Sequence, residues 1–161
     1  MPVAASRRGF TLLEMLAVLA VIAILALIAL PSFTDKLARE QIAEALPLAD
    51  LAKPPVALAW ATGKALPADN GAAGLPAADK IVNTLVTSVT VRDGVIDIVF
   101  GNQANGLIRG KTLSLRPAVV RDARIVPMAW ICGKAPVPGN MTVQGTDRTD
   151  VPLGFLPMRC R

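Results

Sequence analysis

The sequence predicts an α+β fold. A long N-terminal α-helical spine, hydrophobic in its first half, packs on a four-stranded antiparallel sheet, and a disulfide loop follows at the C-terminus. Three observations lead to this prediction. An apolar run, Met15–Leu30, continues into an amphipathic segment with helical periodicity. β-Branched residues flank a tight-turn signal at Asp93-Gly94. The two cysteines, Cys132 and Cys160, lie close to the C-terminus.

The first element is an apolar helix long enough to cross a membrane. Residues 10–30 give 21 positions, which as a helix at about 1.5 Å per residue just span a bilayer. Arg7 and Arg8 precede the run, so the N-terminus is predicted to stay in the cytoplasm and the rest to be exported. The run ends at Pro31 without the small-residue cleavage site of an ordinary secretory signal. Nothing in residues 1–9 has the pattern of a folded element, and they are predicted to be a short, removable leader.

One acidic residue, Glu14, lies near the start of this apolar run. A charged side chain inside a membrane span costs about 2.5–3.5 kcal/mol on insertion scales, so such residues usually have a function and a partner. Two interpretations stay open at this point. Glu14 either neutralises a positive charge or simply extends to the interface from the end of the helix.

The second element is an amphipathic helix over residues 31–62. Apolar residues recur at helical spacing from Leu37 to Ala49, with charged residues between them. We expect a kink near Pro47, a break at Pro54 and an end at Gly63, since proline removes a helical donor and glycine commonly follows a helix. Its apolar face should pack on a sheet; a separate helical hairpin is the alternative.

Residues 63–161 are predicted to form a globular head. A polar loop, Ala65–Ala78, leads to a hairpin over residues 88–100 with its turn at Asp93-Gly94. A third strand fits residues 111–116, which alternate before Pro117, and a fourth fits residues 128–132. Together with the long helix, these strands define the α+β class.

The cysteine and histidine content limits the chemistry of the head. Two cysteines cannot fill a structural zinc site alone, and in a small exported domain they favour a disulfide, Cys132–Cys160, and an oxidising compartment. Two unrelated buried thiols are the alternative. The chain has no histidine, so the commonest metal ligand and general base is missing.

No catalytic constellation, P-loop or dinucleotide-binding spacing is found, so we expect no enzyme activity, no cofactor and no metal. A calcium site at Asp147 and Asp150 would need further oxygen ligands.

Basic residues dominate the second half of the chain. The formal net charge is +5, and from Ile98 onward nine Lys or Arg residues stand against three Asp. One hypothesis is a basic face that contacts DNA phosphates. Aromatic residues for base stacking are scarce, so any contact with DNA would be electrostatic and weak in sequence preference. The alternative, which we favour, is ordinary solvated or subunit-pairing charge. The residues that would make the DNA contact are Arg109, Lys111, Arg116, Arg121 and Arg124.

The N-terminal residues resemble those of a known family. The sequence from Gly9 to Glu14, Gly-Phe-Thr-Leu-Leu-Glu, followed by an apolar helix, is similar to the class III leader and mature N-terminus of type IV pilins and pseudopilins. The Asp93-Gly94 hairpin and the Cys132–Cys160 loop at the C-terminus resemble those of type IVa pilins, whereas secretion pseudopilins usually lack this loop. Pro47 and Pro54-Pro55 depart from the pattern of the family's helical spine.

The resemblance implies roles for individual residues. A prepilin peptidase would cleave between Gly9 and Phe10 and methylate the new amino group of Phe10. Glu14 would neutralise that amine on a neighbouring subunit, which gives the acid a partner. Thr11 and Pro31 would also serve assembly, with the helix loosening around Pro31 in the filament. The loop 132–160 would contribute to subunit contacts and surface recognition, with exposed residues such as Pro136 and Pro152.

The resemblance also implies a location and a set of partners. The precursor would reside in the inner membrane and the mature protein in an extracellular pilus. Its partners would be other pilin subunits, the prepilin peptidase, the pilus assembly platform and an outer-membrane secretin. The predicted function is that of a filament subunit for adhesion, twitching motility or DNA uptake. A minor pilin that binds DNA through a basic face, and a type II secretion pseudopilin, are the alternatives.

Overall fold

The structure, a computed structural model, describes residues 9–161 except for the side chains of residues 29–32. Most of the predicted leader, including Arg7 and Arg8, therefore lies outside the described residues. The chain divides into two compact units between Thr34 and Asp35. The predicted domain boundaries stay a prediction.

The helical spine consists of three consecutive pieces. Helix α1 runs over Leu12–Ala45, a 3₁₀ segment over Leu46–Leu51 and helix α2 over Lys53–Ala61. Pro47 and Pro54 lie in the first turn of the second and third pieces, where a missing N–H leaves no helical bond unmade. The two prolines thus set the points at which the spine is interrupted.

Helix α2 ends at Ala61, and Gly63 terminates it from two residues beyond, as the sequence predicts. The φ angle of Gly63 is +76°, its N–H donates to the Trp60 carbonyl, and the N–H of Lys64 donates to the Ala59 carbonyl at 2.9 Å. This pair of bonds is the Schellman arrangement, which needs a residue in the left-handed region and so favours glycine.

The part of the spine beyond Asp35 packs on the sheet with a stripe of small and apolar side chains. Ala38, Ile42, Ala45, Ala49 and Val56 are all fully buried in one core cluster with the strands. Their spacing of three to four residues over α1, with alanine at alternate turns, lets the helix approach the sheet closely. The predicted packing of the amphipathic segment on the sheet is therefore confirmed.

The sheet is antiparallel, with the order β1-β2-β3-β4. Its strands are β1 Val86–Arg92, β2 Val95–Phe100, β3 Thr112–Val119 and β4 Ala129–Cys132. Asp93 and Gly94 join β1 to β2 with φ angles of +50° and +79°, which is the two-residue turn that the sequence predicts. A short fifth strand, β5 (Thr142–Val143), pairs with the end of β3. The α+β fold with four principal strands is confirmed.

Strand β3 continues through Pro117, whereas the sequence predicts that it ends at Arg116. The Pro117 carbonyl accepts a hydrogen bond from the Gln144 N–H at 2.8 Å, so its backbone polar groups face the β5 side of the strand, away from β4. Strand β2 has already turned at Gly94 at this level, so no bond of the β2–β3 ladder requires the missing N–H. Proline is tolerated here because β2 is shorter than β3.

Both faces of the sheet are covered. The spine packs on one face, and Gly145 and Arg148, which follow β5, contact the other at Val95 and Asp97. Strand β2 is buried at five of its six positions. Gly145 marks the closest approach: its φ is +77°, and a Cβ atom there would collide with the Val95 side chain of β2. Residues of the cysteine loop therefore help to bury the sheet, in addition to forming part of the protein surface.

Candidate functional site

The residues around the predicted cleavage point lie outside the helix. Gly9, Phe10 and Thr11 precede α1, which begins at Leu12, and all three are exposed. The Thr11 hydroxyl accepts a hydrogen bond from the Glu14 N–H at 3.2 Å, and the Thr11 carbonyl accepts one from the Met15 N–H at 3.2 Å. Thr11 is therefore the N-cap of α1, because its side chain satisfies an amide that the helix leaves without a partner.

Glu14 is the third residue of the helix and the acidic residue of its first turn. A threonine followed three residues later by glutamate is the sequence pattern of a capping box. This pattern is visible in the sequence and could have identified Thr11 as a helix cap. The family resemblance gave Thr11 only a role in assembly. A carboxylate at this position also interacts favourably with the positive end of the helix dipole.

The apolar half of α1 is not buried against any other described part of the chain. Its large side chains from Leu12 to Ile28 are all exposed, with fractions between 46% and 81%. Among the described residues this helix is long and apolar enough to cross a membrane, by length and composition. A helix that is apolar all round must be covered by lipid or by other helices. Pro31 lies within α1, but its side chain lies outside the described residues.

Cys132 and Cys160 form the predicted disulfide, which closes a loop of sequence separation 28. The loop is also held by the spine, because Arg39 Nε donates to the Gly154 carbonyl at 2.8 Å. The same carbonyl accepts a bond from the Arg161 guanidinium at 3.1 Å. The tip of the loop is exposed at Pro136, Pro138 and Gly139, and Pro152 is exposed nearer its end, as the sequence predicts.

A polar network that the sequence does not reveal joins the loop to the outer face of the sheet. Asp97 on β2 is 2% exposed and accepts a bond from the Ser114 hydroxyl of β3 at 2.6 Å. The guanidinium of Arg148 from the loop lies 3.3 Å from the other Asp97 oxygen, and its backbone N–H donates to the Ser114 hydroxyl. A buried acid on a strand otherwise composed of Val, Ile and Phe is the signal that could have indicated such a partner.

Asp147 and Asp150, the residues of the calcium alternative, are both engaged by protein groups. Lys134 Nζ lies 2.6 Å from Asp147 Oδ2, and Asp150 accepts a bond from the Thr112 N–H of β3. Burial acts to raise the pKa of Asp147, but the hydrogen bonds from Lys134 and Thr149 outweigh it and hold the pKa below the ordinary value of 3.8. Within the described residues, no group of three or more metal-ligating side chains could hold an ion.

Four of the five residues of the DNA hypothesis make contacts within the chain. Arg109 donates to the Ala104 carbonyl, Lys111 lies 3.9 Å from Asp150, and Arg116 donates to the Gly133 carbonyl at 2.9 Å. The Arg124 guanidinium stacks over the Trp60 ring at 5.3 Å.

The same five residues are spread from the loop before β3 to the loop after it, rather than gathered at one place. Arg121, in the loop after β3, is exposed.

Comparison with known proteins agrees with this architecture. The pattern of the Pilin family, described as a bacterial filament protein, matches residues 38–161, and a prokaryotic N-terminal methylation motif matches residues 5–30. The chain belongs to the pilin family. This family consists of structural proteins rather than enzymes.

Named relatives of this pilin are fimbrial and pilus proteins. A fimbrial protein of Neisseria meningitidis serogroup A is 36% identical over 142 residues, which cover 88% of this chain and 81% of the relative. The type IV major pilin protein PilE of Neisseria gonorrhoeae is 34% identical over 162 residues, 96% of this chain and 94% of the relative. The fimbrial protein EcpC of Eikenella corrodens is 42% identical over 114 residues, 68% of this chain and 74% of the relative.

Membership of this family makes the chain a pilus subunit that assembles with other pilin subunits. Its precursor is membrane-anchored and its mature form belongs to an extracellular pilus.

Proposed function

We propose that this pilin is made as an inner-membrane precursor, processed by a prepilin peptidase between Gly9 and Phe10, methylated on the Phe10 amine and polymerised through α1. The observation that carries the proposal is the first half of α1: an exposed helix, apolar all round, with one carboxylate in its first turn. Lipid would cover this surface before assembly, and other copies of the helix would cover it in the filament.

Glu14 would supply the charge complementarity of assembly. Cleavage would create a positive amine at Phe10, close to the positive end of its own helix dipole, where a cation is unfavourable. A neighbour's Glu14 would relieve that repulsion and would itself gain a partner in a medium where an isolated charge is penalised. The pilus assembly platform and an outer-membrane secretin would guide the growing filament. The filament would serve adhesion, twitching motility or DNA uptake.

The test compares Glu14→Ala with Glu44→Ala, which removes an exposed acid further along the same helix. We expect both variants to be cleaved normally. Filament yield should fall more than tenfold for Glu14→Ala alone, because the variant would leave the Phe10 amine without its partner. Removing one partner of a buried ion pair costs about 3–5 kcal/mol, which exceeds the 1.4 kcal/mol of a tenfold change. Quantifying pilin in sheared filaments measures the effect. Wild-type yield from the Glu14 variant would overturn the assembly role.

Deleting the gene and scoring adhesion, twitching motility and transformation would identify the process that the filament serves. The abundance of the chain in sheared filaments would distinguish a major from a minor pilin.

A further inference from the structure

We propose that Thr11 is a positioning residue for leader cleavage: by capping α1, it fixes the start of the helix and keeps the bond between Gly9 and Phe10 out of it, in a form that the peptidase can bind. This inference rests on the proposed processing at Gly9 and assigns to Thr11 a role that precedes assembly.

The first observation is where the helix begins. Residues 9–11 have no helical structure, and the hydrogen bond from the Glu14 N–H to the Thr11 hydroxyl closes the first turn at Leu12. A peptide bond within a helix has its carbonyl engaged and its backbone wound, so a peptidase must unwind it before attack. An N-cap at Thr11 leaves two residues, Gly9 and Phe10, free of that constraint.

The second observation concerns Gly9 and is independent of the cap. A Cβ atom at Gly9 would meet no described atom within 4 Å, and the φ of Gly9 is not in the left-handed region. Packing among the described residues therefore does not require glycine at this position. Phe10, next to it, is 76% exposed. The open space at Gly9 and the exposed Phe10 leave this stretch of backbone accessible to a peptidase.

The two residues act on the same bond in different ways. Gly9 disfavours helix by about 1 kcal/mol relative to alanine. The threonine cap favours a start at Leu12 by about 0.5–2 kcal/mol. Together they make the segment around the cleavage point non-helical while the following residues stay helical. The start of helix α1 would thus lie at a fixed distance from the bond that the peptidase cleaves.

The experiment measures cleavage of the full-length precursor by its peptidase in membranes, with Thr11→Val and Thr11→Ser as the matched pair. Valine keeps the branched shape and removes the oxygen, whereas serine keeps an oxygen that can cap. We expect the initial cleavage rate to fall about fivefold for Thr11→Val, the factor that corresponds to a cap of about 1 kcal/mol, and to stay within twofold of wild type for Thr11→Ser. Hydrogen exchange at the Glu14 amide should become faster for Thr11→Val alone.

Each outcome decides a separate point. Wild-type precursor that is not cleaved after Gly9 would overturn the proposed function. Normal cleavage of wild type and of Thr11→Val alike would overturn the role of Thr11 and leave the processing site intact. Equal slowing by valine and serine would also contradict the proposal, because the hydroxyl would then not be the determinant.

Discussion

Asn70 shows how one side chain can replace a missing strand. Its amide lies beside the free edge of β1, donates to the Val89 carbonyl at 3.0 Å and accepts a bond from the Val91 N–H at 2.6 Å. The same amide also donates to the Pro76 carbonyl, so Asn70 fixes its own loop as well. Since Asn70 is only 7% exposed, water cannot substitute for these bonds.

We expect Asn70→Ala to lower the free energy of unfolding of the head by about 3 kcal/mol, because each buried backbone group left without a partner costs about 1–3 kcal/mol. Asn70→Asp should be at least as destabilising as alanine, because its second oxygen would face the Val89 and Pro76 carbonyls and a buried charge without a partner is penalised. Urea denaturation of residues 35–161 measures both, with Asn140→Ala at the exposed loop tip as the control. A change below 1 kcal/mol for Asn70→Ala would contradict the role given to this amide.

The ion pair of Asp147 and Lys134 should make the head less stable in acid. Because the pKa of Asp147 is lowered in the folded state, its stabilisation is fully present above the unfolded pKa of about 3.9 and is lost as the pH falls through the folded value. Wild type should therefore be more stable than Asp147→Asn at pH 6, and the difference should shrink between pH 4 and pH 2. Melting temperatures of both proteins across this range provide the measurement. A difference that is independent of pH would refute this assignment.

The cysteine loop is an element held in two ways. One is the disulfide, and the other is the set of bonds from residues 148–150 to β3. The Asp150 N–H donates to the Thr112 carbonyl at 3.1 Å, and the Ser114 N–H donates to the Thr149 hydroxyl at 3.1 Å. These bonds continue the edge of β3 beyond the end of β4, so the loop occupies the place of a strand there.

Replacing both Cys132 and Cys160 by alanine should lower the free energy of unfolding by roughly 3–4 kcal/mol, the chain-entropy value for a loop of this length. The bonds to β3 should nevertheless persist in the folded variant. Hydrogen exchange would then show the Arg148 and Asp150 amides still slower than those of the exposed tip around Gly139. Loss of protection throughout the loop would mean that the disulfide alone holds it.

The sequence predicts the elements whose causes are local. The hairpin follows from Asp93-Gly94, the end of α2 follows from Gly63, and the spine follows from apolar periodicity. Features that depend on distant partners were not predicted: the bonds of Asn70 reach residues 19 and 21 positions away. The end of β3 is predicted wrongly at Arg116 for the same reason, because whether the strand can continue through Pro117 depends on where β2 ends. The pairing of Cys132 with Cys160 was predictable because the chain contains two cysteines.

For the whole molecule, the distribution of charge bears on the DNA hypothesis. The five residues of this hypothesis are spread along β3 and its flanking loops, and four of them contact carbonyls, an acid or a ring of the same chain. Basic residues that are dispersed and already paired within the chain should bind DNA weakly, because affinity grows with the number of phosphates that are neutralised together.

We therefore expect residues 35–161 to show no binding to duplex DNA at about 0.15 M salt and only weak, salt-sensitive binding below it. Fluorescence anisotropy over a salt series measures this, and Arg121→Ala should leave the curve nearly unchanged. Tight binding at about 0.15 M salt that is lost on substitution of Arg109 and Lys111 would instead support the minor-pilin alternative.

The position of the Asn70 amide on the edge of β1 has a consequence for the filament. Filament assembly brings many identical heads to very high local concentration, and an open strand edge on each would invite neighbouring sheets to fuse. Because Asn70 of the same molecule pairs with Val89 and Val91, that stretch of the β1 edge is not available to the sheet of a neighbouring head. A polymer of this chain would then owe its cohesion to packed helices and side chains, and it could come apart into intact subunits.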